Sequence, residues 1–233
     1  MLSKKIINGI LALLVLFFSL GNYQQPYVFV ILAGVFALAA TALNYAALRR
    51  ERSKKSLRSV VLSALLVIGL FGVSLAISEA WLRWVFLASC SVLFYFYQIY
   101  FPREIPDNGE EIAVLAAAAA LFVLFWSVNL YFPQPWYVSL LLFLAAALPL
   151  CLYVVPFAEA LLGALILTEI TWALLYWPTH FLTTAAVNFS VFYLLYVILR
   201  LRESGRLGKR QLYFHVGTVS AVLAIVLVNS PWK

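Results

Sequence analysis

IAVLAAAAALFVLFWSVNLYF, residues 112–132, contains no charged side chain and is long enough to cross a bilayer. A hydrocarbon layer ~30 Å thick is spanned by ~20 helical residues rising ~1.5 Å each. Backbone amides and carbonyls find no water in that layer, so the segment must bond to itself as a helix. The apolar/polar alternation of a lipid-facing barrel strand is absent. Phe132-Pro133 closes the run, because proline cannot continue a helix and aromatic rings favour the headgroup level.

The same pattern repeats on both sides of this segment. Nine apolar crossings are expected, at 4–21, 27–48, 59–78, 82–101, 112–132, 137–155, 158–177, 181–200 and 211–229. Phe101-Pro102 and Trp177-Pro178 punctuate two others. Composition agrees: 65% of residues are hydrophobic, 11% are charged, and mean hydropathy is +1.00. A water-soluble domain is closer to half apolar and a quarter charged. The expected fold is therefore an all-α polytopic transmembrane bundle forming one domain over residues 1–233.

Two joins are tight. Residues 137–177 are almost continuously apolar, and Pro156 divides them, since one helix of that length would be about twice the bilayer thickness. Pro149 is expected to kink the first half. The other tight join is Glu79-Ala80-Trp81-Leu82-Arg83-Trp84. Charge supports both divisions. With nine crossings, Lys4, Lys5, the basic residues of 49–58, Arg103 and those of 200–210 share one side, fourteen in all, against Arg83 and Lys233 on the other. Lysine and arginine mark the cytoplasmic side, which places the N-terminus inside and the C-terminus outside. Residues 4–21 also resemble a signal peptide, with a basic start and a Ser19-Leu20-Gly21 ending. The long membrane-embedded remainder favours a retained helix.

The basic excess does not indicate nucleic acid, because the cations sit in short segments beside the helices. Cys90 and Cys151 fall within apolar runs and share no ligand spacing, so they are small apolar fillers and no metal or cofactor is implied. No Walker loop, nucleotide-binding glycine fingerprint, HExxH, CxxC or GxSxG occurs. Small residues should hold the helices together, since burying leucine gains little against lipid. Seams of this kind are Ala33/Ala37/Ala40/Thr41/Asn44, Gly69/Gly72/Ala76 and Gly217/Ala221/Ala224. The run Ala116 to Ala120 should admit a close neighbour. Asp107 or Asn108 is expected to cap the fifth helix, with Glu110 and Glu111 in its first turn.

Glu169 is the sharpest polar signal. It lies about 12–15 Å from either end of its crossing, near the midplane. A carboxylate there costs about 2.5–3.5 kcal/mol on insertion scales, so it is expected to face protein or trapped water. Trp172 and Tyr176 share its helical face, and Asn188 and Thr184 on the next crossing are the expected partners. These five form a candidate intramembrane polar site. A second candidate lies at the outward face, where Glu79, Arg83 and His180 stand among Tyr23, Trp81, Trp84, Trp136, Trp177 and the amides of Gln24, Gln25 and Gln134.

The C-terminal third, through Thr168-Glu169-Ile170-Thr171-Trp172, Tyr176-Trp177-Pro178 and Gly205-Arg206-Leu207, resembles uncharacterised bacterial multi-pass membrane proteins. The resemblance implies the cytoplasmic membrane of a bacterium and no activity. Three function classes fit the residues. One is a non-catalytic scaffold or binding protein, with the lipid bilayer, a membrane-embedded protein or a lipid-like ligand as partner. The second is a small carrier using Glu169. The third is an intramembrane enzyme acting on lipid or lipid-linked substrate at the outward face. Cysteines introduced singly in 50–58 and 202–210 should react with an impermeant maleimide from the same side of the membrane. Labelling from opposite sides would overturn the nine-crossing layout.

Overall fold

The computed structural model describes residues 57–77, 79–100, 107–203, 205 and 208–230, with Val35, Ala39, Thr41 and Ala42 as isolated helical positions. The first two expected crossings, the Ser19-Leu20-Gly21 ending and most of the Ala33 to Asn44 seam lie outside these residues. The described chain is all-helical. Seven helices follow in order: α1 (Leu57–Ala76), α2 (Ala80–Tyr100), α3 (Asp107–Tyr131), α4 (Trp136–Val154), α5 (Phe157–Leu175), α6 (Phe181–Glu203) and α7 (Lys209–Val228). Within α3 to α7, five segments are long and apolar enough to cross a membrane. The chain divides into two compact units, Met1–Leu124 and Phe125–Lys233, with the boundary inside α3.

Both tight joins are real breaks. Val155 is extended (φ −137°, ψ 167°), the conformation that the following proline imposes, and α5 starts directly after Pro156. Pro149 lies inside α4. Between α1 and α2, the Arg83 guanidinium turns back and donates from Nε to the Ile77 carbonyl at 3.0 Å. A carbonyl left open where α1 ends thus receives a charged donor. One boundary differs from expectation. Helix α3 begins at Asp107, so Asp107 and Asn108 are helical and do not precede the helix as caps. The acidic residues in its opening turns favour the helix N-terminus, which extends the helix beyond the apolar run.

In the first unit, Gly69 packs against the alanine run of α3. A Cβ at Gly69 would lie 2.7 Å from Ala120 Cβ and 3.1 Å from the Leu121 nitrogen. Ala117 and Ala118 are fully buried. The alanines therefore do bring two backbones close, as short side chains allow.

In the second unit, α4 packs on α5, and α6 packs on α4, α5 and α7. The buried face of α5 is Ala160, Gly163, Ala164, Leu167, Thr171 and Leu174. This is a small-residue seam, with Gly163 facing Cys151. By contrast, α7 buries only Val219, and nothing lies within 4 Å of a Cβ added at Gly217. The expected Gly217/Ala221/Ala224 seam is exposed along its length. Opposite ends of the unit are each tied by side chains. Asn129 accepts a hydrogen bond from Ser139, and Thr183 and Ser230 hydroxyls meet at 2.8 Å. At the other end, Glu159 and Arg202 approach to 3.7 Å. Both groups are largely exposed, so this ion pair contributes little.

Gly69→Ala should therefore destabilise the protein by about 1–3 kcal/mol through overpacking. Gly217→Ala should be neutral or stabilising by up to about 1 kcal/mol, through helix propensity alone. Unfolding by dodecyl sulfate in mixed micelles, followed by circular dichroism, measures both.

Candidate functional site

Two proline-bearing connections shape one end of the second unit. Between α3 and α4 runs Phe132-Pro133-Gln134-Pro135, and Pro135 (φ −54°, ψ 140°) delivers the chain into α4. Between α5 and α6 runs Tyr176-Trp177-Pro178-Thr179-His180. Here the Thr179 amide donates to the Trp177 carbonyl at 2.8 Å, a tight turn centred on Pro178. His180 then caps α6. Its carbonyl accepts the Thr183 and Thr184 amides at 2.9 and 3.2 Å, and its Nδ1 accepts the Leu182 amide at 3.3 Å. With Nδ1 accepting, the neutral ring carries its proton on Nε2.

A cavity of about 390 Å³ opens between these connections. That volume falls within the range of small-molecule sites, ~300–1,000 Å³. Its wall includes Trp126, Asn129, Gln134, Trp136, Tyr176, Trp177, Thr179, His180 and Thr184, and, among the described residues, no Lys, Arg, Asp or Glu. Several polar groups on it are committed to the protein. Asn129 donates to the Phe125 carbonyl at 2.9 Å while accepting from Ser139. Thr184 donates to the Phe181 carbonyl at 2.8 Å. Two groups are not committed. Trp126 is only 7% exposed, yet its indole Nε1–H has no acceptor. The Thr179 hydroxyl is likewise buried and has no partner. Buried polar groups are nearly always bonded, and these two atoms, themselves closed off from the cavity, are exceptions within the packing.

The residues singled out in sequence are divided among four places. Tyr176, Thr184 and His180 reach the cavity. Asn188 is fully buried in α6 against Thr171 of α5, whose hydroxyl lies 3.3 Å from Asn188 Oδ1 and 2.8 Å from the Leu167 carbonyl. One hydroxyl proton is shared between those acceptors, and Asn188 Nδ2 has no partner. Glu169 and Trp172 are exposed, and the Trp172 ring meets Tyr176 edge-on at 6.5 Å. Within the second unit, Glu169 is thus not on the packed face of α5. Leu167 and Thr171 are buried, and Glu169, two residues from each, is turned about 200° away. Its sequence neighbours on that face, Leu162, Leu165 and Ile166, are exposed with it. Glu79 is exposed and Arg83 half-buried, both in the first unit.

Trp126, Asn129, Ser139 and Thr179 were missed as cavity residues. The signal was available. Alternating crossings bring the 131–136 and 176–180 connections to the same end, so polar residues flanking Pro133 and Pro178 had to converge. His215 meets the Tyr193 hydroxyl at 3.1 Å, linking α6 to α7.

A family described as Protein of unknown function (DUF5656) matches residues 154–230. The match takes in α5 to α7 and the Leu174 to Thr184 side of the cavity, but not the Trp126 to Ser139 side. No curated protein and no solved structure matches the chain.

Glu169→Gln should leave stability within about 0.5 kcal/mol, as surface substitutions do. Asn188→Leu should lower it by about 1–3 kcal/mol by overpacking the α5–α6 contact. The same unfolding assay in mixed micelles separates the two.

Proposed function

We propose that the protein is a multi-pass component of a cytoplasmic membrane whose second unit, Phe125–Lys233, is a non-catalytic ligand-binding module, with the cavity between the α3–α4 and α5–α6 connections as its site. The carrying observation is a cavity of ligand size, about 390 Å³, walled by indole, amide and hydroxyl side chains. Indole, amide and hydroxyl groups hold and orient a ligand. Among the described residues the wall holds no carboxylate or amine, and His180 is its one group of the kind most often used for proton transfer. This favours binding over the lipid-acting enzyme. The carrier built on Glu169 has less support, since Glu169 lies on the exposed face of α5 while Asn188 is buried behind the opposite one. On the charge asymmetry of the connections, the cavity opens at the outward side.

Filling the site tests the reading. Native mass spectrometry of the full chain, released from membrane-derived nanodiscs, should find a retained small molecule on the wild type. Thr179→Trp should lose that adduct while keeping the wild-type unfolding midpoint. Only unliganded wild-type protein, or an adduct undiminished in the variant, overturns the proposal.

A further inference from the structure

The end of the second unit opposite the cavity gathers cations. Residues 200–210 hold Arg200, Arg202, Arg206, Lys209 and Arg210 against one acid, Glu203. We propose that this α6–α7 hairpin end is a docking site for an anionic diacyl phospholipid, whose phosphate meets Arg200, Lys209 and Arg210 and whose chains follow the exposed face of α7.

The packing brings these cations to one level. Helix α6 packs on α7, and the Tyr193 hydroxyl meets His215 Nδ1 at 3.1 Å. Arg200 lies seven residues beyond Tyr193, two turns further along the same face of α6, a rise of ~10 Å. Lys209 and Arg210 precede His215 by six and five residues, a rise of ~8–9 Å in the same direction. The turn between the helices includes Gly205 (φ 66°), whose amide donates to the Arg202 carbonyl at 3.1 Å. The Arg200 guanidinium is held in place. Its Nη1 donates to the Tyr196 hydroxyl at 2.6 Å, and its central carbon lies 5.9 Å from the centroid of that buried ring. A positioned guanidinium suits phosphate oxygens, which its planar fork can bond in pairs. Lys209 and Arg210 are exposed, and Glu159 offsets only Arg202, across 3.7 Å.

The adjoining surface favours a lipid over a soluble phosphate. Tyr213 and Phe214, one turn past Lys209 and Arg210, are 71% and 69% exposed. Aromatic rings at helix ends favour the level where headgroups meet acyl chains. Helical spacing then puts Arg210, Tyr213, Gly217, Ala221 and Ala224 on one face of α7, all exposed. Cation, aromatic ring and apolar path follow in the order of a phospholipid's phosphate, glycerol and chain. A second copy fits this face less well. Copies inserted in one orientation and joined here by a two-fold axis would set Arg210 beside Arg210. On the charge asymmetry of the connections, the site faces the cytoplasmic leaflet, whose surface is anionic.

The test uses the full chain in phosphatidylcholine nanodiscs with rising mole fractions of phosphatidylglycerol. Light scattering gives the thermal unfolding midpoint, and native mass spectrometry of the released chain gives the retained lipid. Phosphatidylglycerol should raise the midpoint saturably and stay bound in preference to phosphatidylcholine. Lys209→Gln with Arg210→Gln should weaken its apparent affinity roughly 10–30-fold, the loss of two cations at an anionic headgroup. Lys209→Gln alone stands if the pair lowers the midpoint in pure phosphatidylcholine. Lys209→Arg with Arg210→Lys should keep the effect. Lys4→Gln with Lys5→Gln removes the same charge elsewhere and should leave it unchanged. Equal weakening there means general surface attraction and overturns the site. A midpoint indifferent to phosphatidylglycerol, or an effect undiminished by the substitutions at Lys209 and Arg210, overturns it too. So does a released dimer without retained lipid, which gives the face to a second copy.

Discussion

A peptide group inside hydrocarbon has no solvent to bond with, and this one constraint organises the chain. Each crossing must close its own backbone hydrogen bonds as a helix. The bonds that a helix cannot close, at its two ends, must be met elsewhere. The structure meets them with local devices. Arg83 reaches back to the Ile77 carbonyl, His180 takes three amides of α6 with its carbonyl and Nδ1, and Pro135 and Pro156 start helices where no amide hydrogen is needed. Polar and conformationally restricted residues accordingly gather at helix ends. The cavity is built there, where irregular backbone and committed side chains already coexist.

That constraint also explains what could be read from the residues. The Pro156 break was legible because proline acts on its immediate neighbours: it removes a donor and pushes Val155 into an extended conformation, whatever surrounds it. The close approach at the Ala116 to Ala120 run was legible because a helix of methyl side chains has little else to offer. Helix rotation was much harder. Lipid and protein interior are equally apolar, so α5 carries no strong stripe to distinguish its inner face. Glu169 looked inward on the argument that a midplane carboxylate needs cover. The stronger signal was Ala160, Gly163, Ala164 and Leu167, whose small size fixes the contact face and turns Glu169 away. The same logic failed in the other direction at Gly217, where a small-residue seam lies exposed. Small residues permit close packing but do not compel it.

The candidate site was legible in fragments. Tyr176, Thr184 and His180 were selected on separate grounds, and they meet because alternate connections share an end of the bundle. Trp126 could not be identified as unusual from sequence. An indole near a helix end most often belongs to an interfacial belt. Its distinction is tertiary: nearly complete burial combined with an N–H that nothing accepts.

Those two unmatched donors matter because of their surroundings. In a low-dielectric wall a missing hydrogen bond is expensive, and a made one is stronger than in water. The unit could have closed Trp126 and Thr179 internally, as it closed Thr183 on Ser230 and Ser139 on Asn129 at the same end.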